Sequence, residues 1–235
     1  MIYKILPIVA FFLFTLTSNQ NASRIKENVN FSVTSESDLE TKTLSVYNSL
    51  HGAAGTSMPA MESFSKALKG FYALKDKGIA KRDILTLVDF SLSSNQKRMW
   101  VIDLATNTIL YQSLVAHGRN TGNEFARTFS NAAQSYQSSL GFYVTGEIYN
   151  GKHGLSLKLD GMERGVNDNA RNRAVVVHGA DYVSDSFIRN HSRLGRSQGC
   201  PAVPVELAKP IISTIKDKSV LYIYHPSMKD SKIAG

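Results

Sequence analysis

The stretch Ala174-Val175-Val176-Val177-His178-Gly179, followed after a loop by Gly195-Arg196-Ser197-Gln198-Gly199-Cys200-Pro201, decides how this chain is read. Three consecutive valines describe a buried strand, because β-branched side chains fit a pleated surface and a core on both faces admits no polar alternation. A histidine at the end of such a strand emerges at the rim of the sheet, on a backbone rigid enough to hold its ring. Cys200 lies between Gly199 and Pro201, just ahead of a helix-like segment, which predicts a tight turn with backbone N–H groups near the thiol. On the residues alone, two descriptions fit: an inert buried thiol beside a satisfied strand-end histidine, or a nucleophile with its base. A thiol with a pKa of about 8.5 is only slightly ionised at neutral pH, so the second description needs a base within hydrogen-bond reach. His178, 22 residues upstream, can supply it.

Outward from this stretch the period of the pattern separates two halves. Residues 99–103 and 108–116 are β-rich runs around Ala105-Thr106-Asn107, a hairpin signature, and residues 140–148, 155–159 and 220–224 read as further strands between Gly, Asn and Asp. Residues 205–215 are the helix of this half. Upstream, Met61, Phe64, Ala67, Leu68, Phe71, Tyr72 and Leu74 recur at intervals of three and four, predicting an amphipathic helix over residues 59–77, capped by Thr56 or Ser57 and ended at Lys77-Gly78. Residues 83–88 fit a short helix or strand equally. The expected class is α+β, with a mostly antiparallel β half at residues 91–228, a helical N-terminal portion at 44–90 and a tail at 229–235. Residues 23–43, rich in Ser, Thr, Asn and Glu, are expected to be a disordered linker, since they bury too little apolar surface to offset the entropy of ordering.

Residues 5–16 form an apolar run of twelve broken only by Pro7 and Thr15. A bilayer span takes about 20 such residues, so residues 1–22 are expected to be a signal peptide, with an uncleaved anchor as the alternative. Either places the bulk of the chain outside the cytoplasm, in the periplasm or cell-wall space, with membrane contact only through that segment. A single cysteine excludes internal disulfides and multi-cysteine zinc or iron–sulfur sites. The excess of 27 Lys and Arg over 19 Asp and Glu favours polyanionic surroundings, yet no block of like charge marks a nucleic-acid arm. There is no P-loop or dinucleotide fingerprint, so neither nucleic acid nor any cofactor is expected.

The segments His178-Gly179 and Ser197-Gln198-Gly199-Cys200, with His117-Gly118-Arg119-Asn120, Gly141-Phe142-Tyr143 and Gly151-Lys152-His153-Gly154 upstream, resemble the secreted subgroup of the murein L,D-transpeptidase (YkuD-like) catalytic domains. The resemblance spans residues 44–226 and implies a β sandwich or barrel of L,D-transpeptidase type with an N-terminal helical extension. It implies Cys200 as nucleophile, His178 as base, the Gly179 carbonyl orienting the imidazole with Asp181 as the carboxylate alternative, and N–H groups of Gly199 and Cys200 as oxyanion donors. The substrate implied is a peptidoglycan stem peptide, with 3-3 crosslinking or L,D-carboxypeptidase activity as outcomes. Where the family carries histidine before Gly-Cys this chain has Gln198, which can orient by hydrogen bonding but cannot titrate. Arg196 is the candidate carboxylate binder among Arg164, Arg171, Arg173, Arg189 and Arg193, joined by Ser197, Gln198 and Tyr143 along the substrate groove.

Three other readings compete. His191, nine residues before Cys200, could be the base, although Arg189-Asn190-His191-Ser192 reads as a mobile loop. A zinc-dependent murein peptidase would use His153, Asp160 and His178. A non-catalytic cell-wall-binding protein would account for the charge and for Gln198. His117 and His153, beside glycines, are expected to shape the cleft.

Overall fold

The structure is a computed structural model, and it describes residues 36–229, 231 and 233. The signal-peptide expectation for residues 1–22 lies outside the described residues. Among the described residues, four helices, α1 (Glu36–Ser49), α2 (Met61–Asp76), α3 (Asp185–His191) and α4 (Val205–Ile215), accompany nine strands: β1 (His51–Gly52), β2 (Ile84–Asp89), β3 (Met99–Asp103), β4 (Thr108–Ser113), β5 (Gly141–Gly151), β6 (Gly154–Gly161), β7 (Val176–Gly179), β8 (Ala202–Val203) and β9 (Val220–Tyr224). The strands form one mixed sheet in the order β1-β4-β3-β2-β9-β5-β6-β7-β8. Five of its neighbour pairs are antiparallel, and β1–β4, β2–β9 and β7–β8 are parallel. The expected α+β class holds. Just past β4, Ala116 bridges to Ala202 and Gly118 to Ser197, so the two ends of the sheet curl toward each other.

Alternation along the central strands divides the core into two layers. Leu85, Leu87, Trp100, Ile102, Phe142, Val144 and Tyr222 face α2 and receive Phe64, Ala67, Leu68, Phe71 and Leu74. Val88, Met99, Val101, Tyr143, Leu221 and Ile223 face the other way, where β6, β7 and Ile211, Ile212 and Ile215 of α4 complete the second layer. The 3–4 spacing read in α2 is therefore the imprint of the sheet on that helix.

Three expectations change. Residues 36–43, assigned to the disordered linker, belong to α1, which begins well ahead of the short helix that Leu44, Val46, Tyr47 and Leu50 suggest. The helix is held from outside: the Tyr47 hydroxyl donates to the Pro59 carbonyl at 2.8 Å, its ring sits 5.4 Å from that of Phe64, and Lys42 Nζ lies 3.7 Å from the centre of the Tyr72 ring. The boundary at 90/91 also goes, because β2 lies inside the sheet between β3 and β9 and every residue of it is buried. Finally, α2 is capped by neither Thr56 nor Ser57. Ala60 occupies that position, and the Ser57 carbonyl instead accepts the Trp100 indole N–H at 2.8 Å.

Candidate active site

His178 ends β7 as its valine run implies. Its Nδ1 lies 2.9 Å from the Gly179 carbonyl oxygen. A carbonyl can only accept, so Nδ1 carries the proton and Nε2 is left as the basic nitrogen. The ring is 3 % exposed, and burial, ahead of the opposing bond to Gly179, holds its pKa below the ordinary imidazole value.

The parallel register His178↔Ala202 and Gly179↔Val203 fixes where the cysteine falls. Two residues ahead of Ala202, the Cys200 thiol lies 3.7 Å from the Ala174 carbonyl and accepts from the Val176 N–H. His178 is two residues farther along β7, roughly 7 Å of strand. Both side chains line one open cavity of about 730 Å³. Burial raises the thiol pKa, opposed by the Val176 N–H and the Arg173 charge. With the imidazole shifted down and the thiol up, the resting pair is neutral, and ionisation awaits proton transfer from sulfur to nitrogen.

The turn carrying Cys200 is built by its neighbours. Gly199 has φ +124°, and a Cβ there would stand 2.8 Å from the Gln137 carbonyl oxygen, so only glycine fits. The Ser197 hydroxyl accepts from the Gly199 N–H at 3.0 Å and donates to the Cys200 carbonyl at 2.7 Å. Ser197 is therefore a turn-former more than a substrate contact. Its bond also removes the Gly199 N–H from the expected oxyanion pair, leaving the Cys200 N–H of the two. Gln198 is exposed at the cavity wall, where an amide can meet a ligand.

Two further expectations are corrected. Tyr143 is fully buried in the core, its hydroxyl donating to the Ser139 carbonyl and meeting Ser139 Oγ, both at 2.9 Å. It alternates with Phe142 and Val144 on a strand covered on both faces, where the period alone does not reveal which face meets the site. The aromatic rings at the cavity are Tyr136, Tyr149 and Tyr182. Arg196 does reach the cavity, but its Nη1 is spent on the carbonyls of Arg119 and Gly122 and on Asn123 Oδ1, at 2.8–3.3 Å. That group braces the 119–123 loop instead of awaiting a carboxylate.

Arg173, read earlier only as one of a cluster, is the cation closest in effect to the sulfur. Its guanidinium donates to the carbonyls of Ser130 and Gln137 and to the hydroxyls of Ser135 and Ser139, fastening that segment beside the turn. No sequence period marks it, since its partners come from a segment some forty residues away, 36 from Gln137 and 43 from Ser130.

The competing arrangements do not assemble. His191 ends α3, which Ser184 caps, and its ring stacks on Phe187 with centres 4.0 Å apart, so it belongs to an ordered helix and is not part of the cavity lining. Asp181 is exposed while the Gly179 carbonyl holds the imidazole. Asp160 is paired with Arg171 and Lys218, and among the described residues no group of three His, Cys, Asp or Glu side chains could hold a metal ion. His153 does reach His178, ring on ring, with centres 4.5 Å apart.

No curated protein matches this chain. Among solved structures it is similar to an L,D-transpeptidase from Mycobacterium smegmatis, at 10% identity over 61% of this chain and 59% of that one, with a TM-score of 0.37. It thus spans about three fifths of the length of that relative. It is also similar to an L,D-transpeptidase from Xylanimonas cellulosilytica, at 12% identity over 79% of this chain and 91% of that one, with a TM-score of 0.36. A third is L,D-transpeptidase 1 from Mycobacterium tuberculosis, at 9% identity over 61% and 62%, with a TM-score of 0.34. The family model of the L,D-transpeptidase catalytic domain matches residues 56–224, from the turn before α2 to the end of β9, and the chain belongs to that family.

Proposed function

We propose that the protein is a cysteine acyltransferase acting on peptidoglycan stem peptides outside the cytoplasm. The observation that carries this reading is the opening of the lone thiol and a tautomerically fixed imidazole into one cavity. Nε2 of His178 takes the Cys200 proton as sulfur attacks the carbonyl of the residue at stem position three. The S–C bond forms, the oxyanion is held in part by the Cys200 N–H, and collapse breaks the C–N bond to the terminal D-alanine, whose amine takes the proton from His178. The thioester then passes its acyl group to a second stem's amine, giving a 3-3 crosslink, or to water, giving a tripeptide. His178 serves as base again, and the thiol recovers its proton.

The surroundings support an anionic peptide as ligand. Lys152 and the charge of Arg173 border the cavity, alongside three tyrosines. The net charge of +8 suits a polyanionic wall, and the apolar run at residues 5–16 supports export.

The test is incubation of the protein with purified disaccharide tetrapeptide and mass analysis of the products. The reading expects a dimer lacking one D-alanine, or a tripeptide, abolished by thiol alkylation and untouched by chelation. Unchanged substrate, or turnover that survives Cys200→Ala, would overturn it.

A further inference from the structure

Strands β5 and β6 are joined by a two-residue turn, with Gly151 paired to Gly154 and Lys152-His153 at the tip. The register shifts between Thr145 and Ile148, so the outer half of this hairpin bends relative to the inner half. Ser156 pairs with His178 across β6 and β7, which sets the tip only a few residues from the end of β7. Tyr149, Lys152, His153 and Ser156 of that outer half all border the cavity.

At the tip, the exposed ring of His153 lies over the buried ring of His178, with centres 4.5 Å apart and planes 24° from parallel. The Nδ1 bond to Gly179 fixes one edge of the His178 ring, but a single hydrogen bond leaves the ring free to swing about that edge. A flat group against its face removes the freedom. We propose that His153 is a positioning residue, a clamp borne by the hairpin tip that holds the His178 imidazole in the orientation from which Nε2 serves the thiol. The inference rests on the reading of His178 as base. Besides His153, the titratable or charged groups that share the cavity with His178 are Lys152 and Tyr149 on the hairpin, Cys200 and Arg196 on the turn, Tyr136 in the loop ahead of β5, Arg173 ahead of β7 and Tyr182 beyond it. Stacking needs a flat ring and no charge, whereas proton transfer would need an imidazole, and this difference is what the experiment uses.

His153→Ala and His153→Phe are compared with the wild-type chain in tetrapeptide turnover. His153→Ala is expected to lower kcat at least about tenfold with KM within about twofold, because loss of alignment acts on the chemical step. His153→Phe, which keeps the flat ring and cannot titrate, is expected to restore kcat to within about threefold, with the acid limb moved only slightly upward, since the charge of His153 is the smallest of the influences on the His178 pKa. A wild-type kcat in His153→Ala, a change confined to KM, or His153→Phe as slow as His153→Ala would each overturn the clamp. The stack is also read without turnover: the carbon-bound ring protons of His178 should carry an upfield ring-current shift that His153→Ala loses and His153→Phe retains. An unaltered His178 spectrum in His153→Ala overturns the clamp even if no turnover is seen. Loss of activity in the wild-type chain, with the ring-current shift present, instead overturns the acyltransferase reading.

Discussion

Two histidines kept neutral by burial do different work. In the proposed reaction His178 accepts a proton, so activity is expected to fall with pH through its lowered pKa, and the acid limb of kcat/KM should lie below the ordinary imidazole value of about 6.5. A limb at or above that value would contradict the buried neutral pair. Removal of the base by His178→Ala, or of the sulfur by Cys200→Ser, should each cost at least a hundredfold in rate, on the order of 3 kcal/mol of barrier. His117 instead stabilises the fold. Arg98 Nη2 lies 2.8 Å from its Nδ1, and a guanidinium can only donate, so Nδ1 must be bare while Nε2 faces the Gly122 carbonyl at 3.3 Å. Burial first, and the Arg98 charge second, lower its pKa to about 4. The unfolded chain therefore binds a proton near pH 6.5 that the folded chain refuses until about 4, so the stability present above pH 6.5 falls by about 3 kcal/mol across that window. Denaturant titrations at pH 7.5 and 4.5 measure the loss, which His117→Gln should diminish by that amount. His178 adds loss of the same sign in both proteins and cancels in the comparison. The strand end at His178 and the turn at Cys200 were legible in a valine run and a Gly-Cys-Pro segment, whereas the pairing of the two and the part of the Gly179 carbonyl came only from the family resemblance. Arg196 and Tyr143 were not legible, because what a guanidinium donates to, and which of two buried faces a ring occupies, depend on chain segments distant in sequence.

At the scale of the element, α2 shows how a local preference yields to the sheet. Gly70 sits mid-helix, where glycine ordinarily costs about 1 kcal/mol relative to alanine. A Cβ at this position would stand 2.0 Å from the tip of the Phe142 ring, itself fully buried and stacked on Tyr222 with centres 4.1 Å apart. The ring has nowhere to retreat, and overpacking of this kind costs about 1–3 kcal/mol or more, enough to cancel the helical gain. Gly70→Ala should therefore lower the denaturation midpoint, and Gly70→Ala combined with Phe142→Leu should recover part of the loss. A midpoint raised by Gly70→Ala alone would show that the sheet gives way to the helix. The same dependence explains which elements the sequence revealed. Helix α2 buries a broad apolar face and wrote a 3–4 period, whereas the first eight residues of α1 carry a single apolar side chain, Leu39, and only Leu44, Val46 and Tyr47 in its second half hinted at a helix. Strand β2, buried on both faces, gave six residues without alternation, which a short buried helix would equally give.

On the scale of the whole molecule, the change of period near residue 90 marks a change of element type and no division of the structure. The described residues form one compact unit, and β2 is the strand that joins the β1-β4-β3 side of the sheet to the β9-β5-β6-β7-β8 side bearing Cys200 and His178. A fragment beginning at residue 91 would lose β2 and α2 together. It would leave β3 and β9 with unpaired inner edges and uncover Trp100, Ile102, Phe142, Val144 and Tyr222. Each such side chain contributes about 1.5–3 kcal/mol through burial, so the set together rivals the 5–15 kcal/mol net stability of a typical domain. The fragment of residues 91–228 is therefore expected to lack a cooperative thermal transition and dispersed amide resonances, and to show no alkylation selectivity at Cys200. A cooperative transition in that fragment would mean that the catalytic half folds without the helical half. The active site would then owe its geometry to β3–β9 alone, and α2 would be an appendage instead of half of the core.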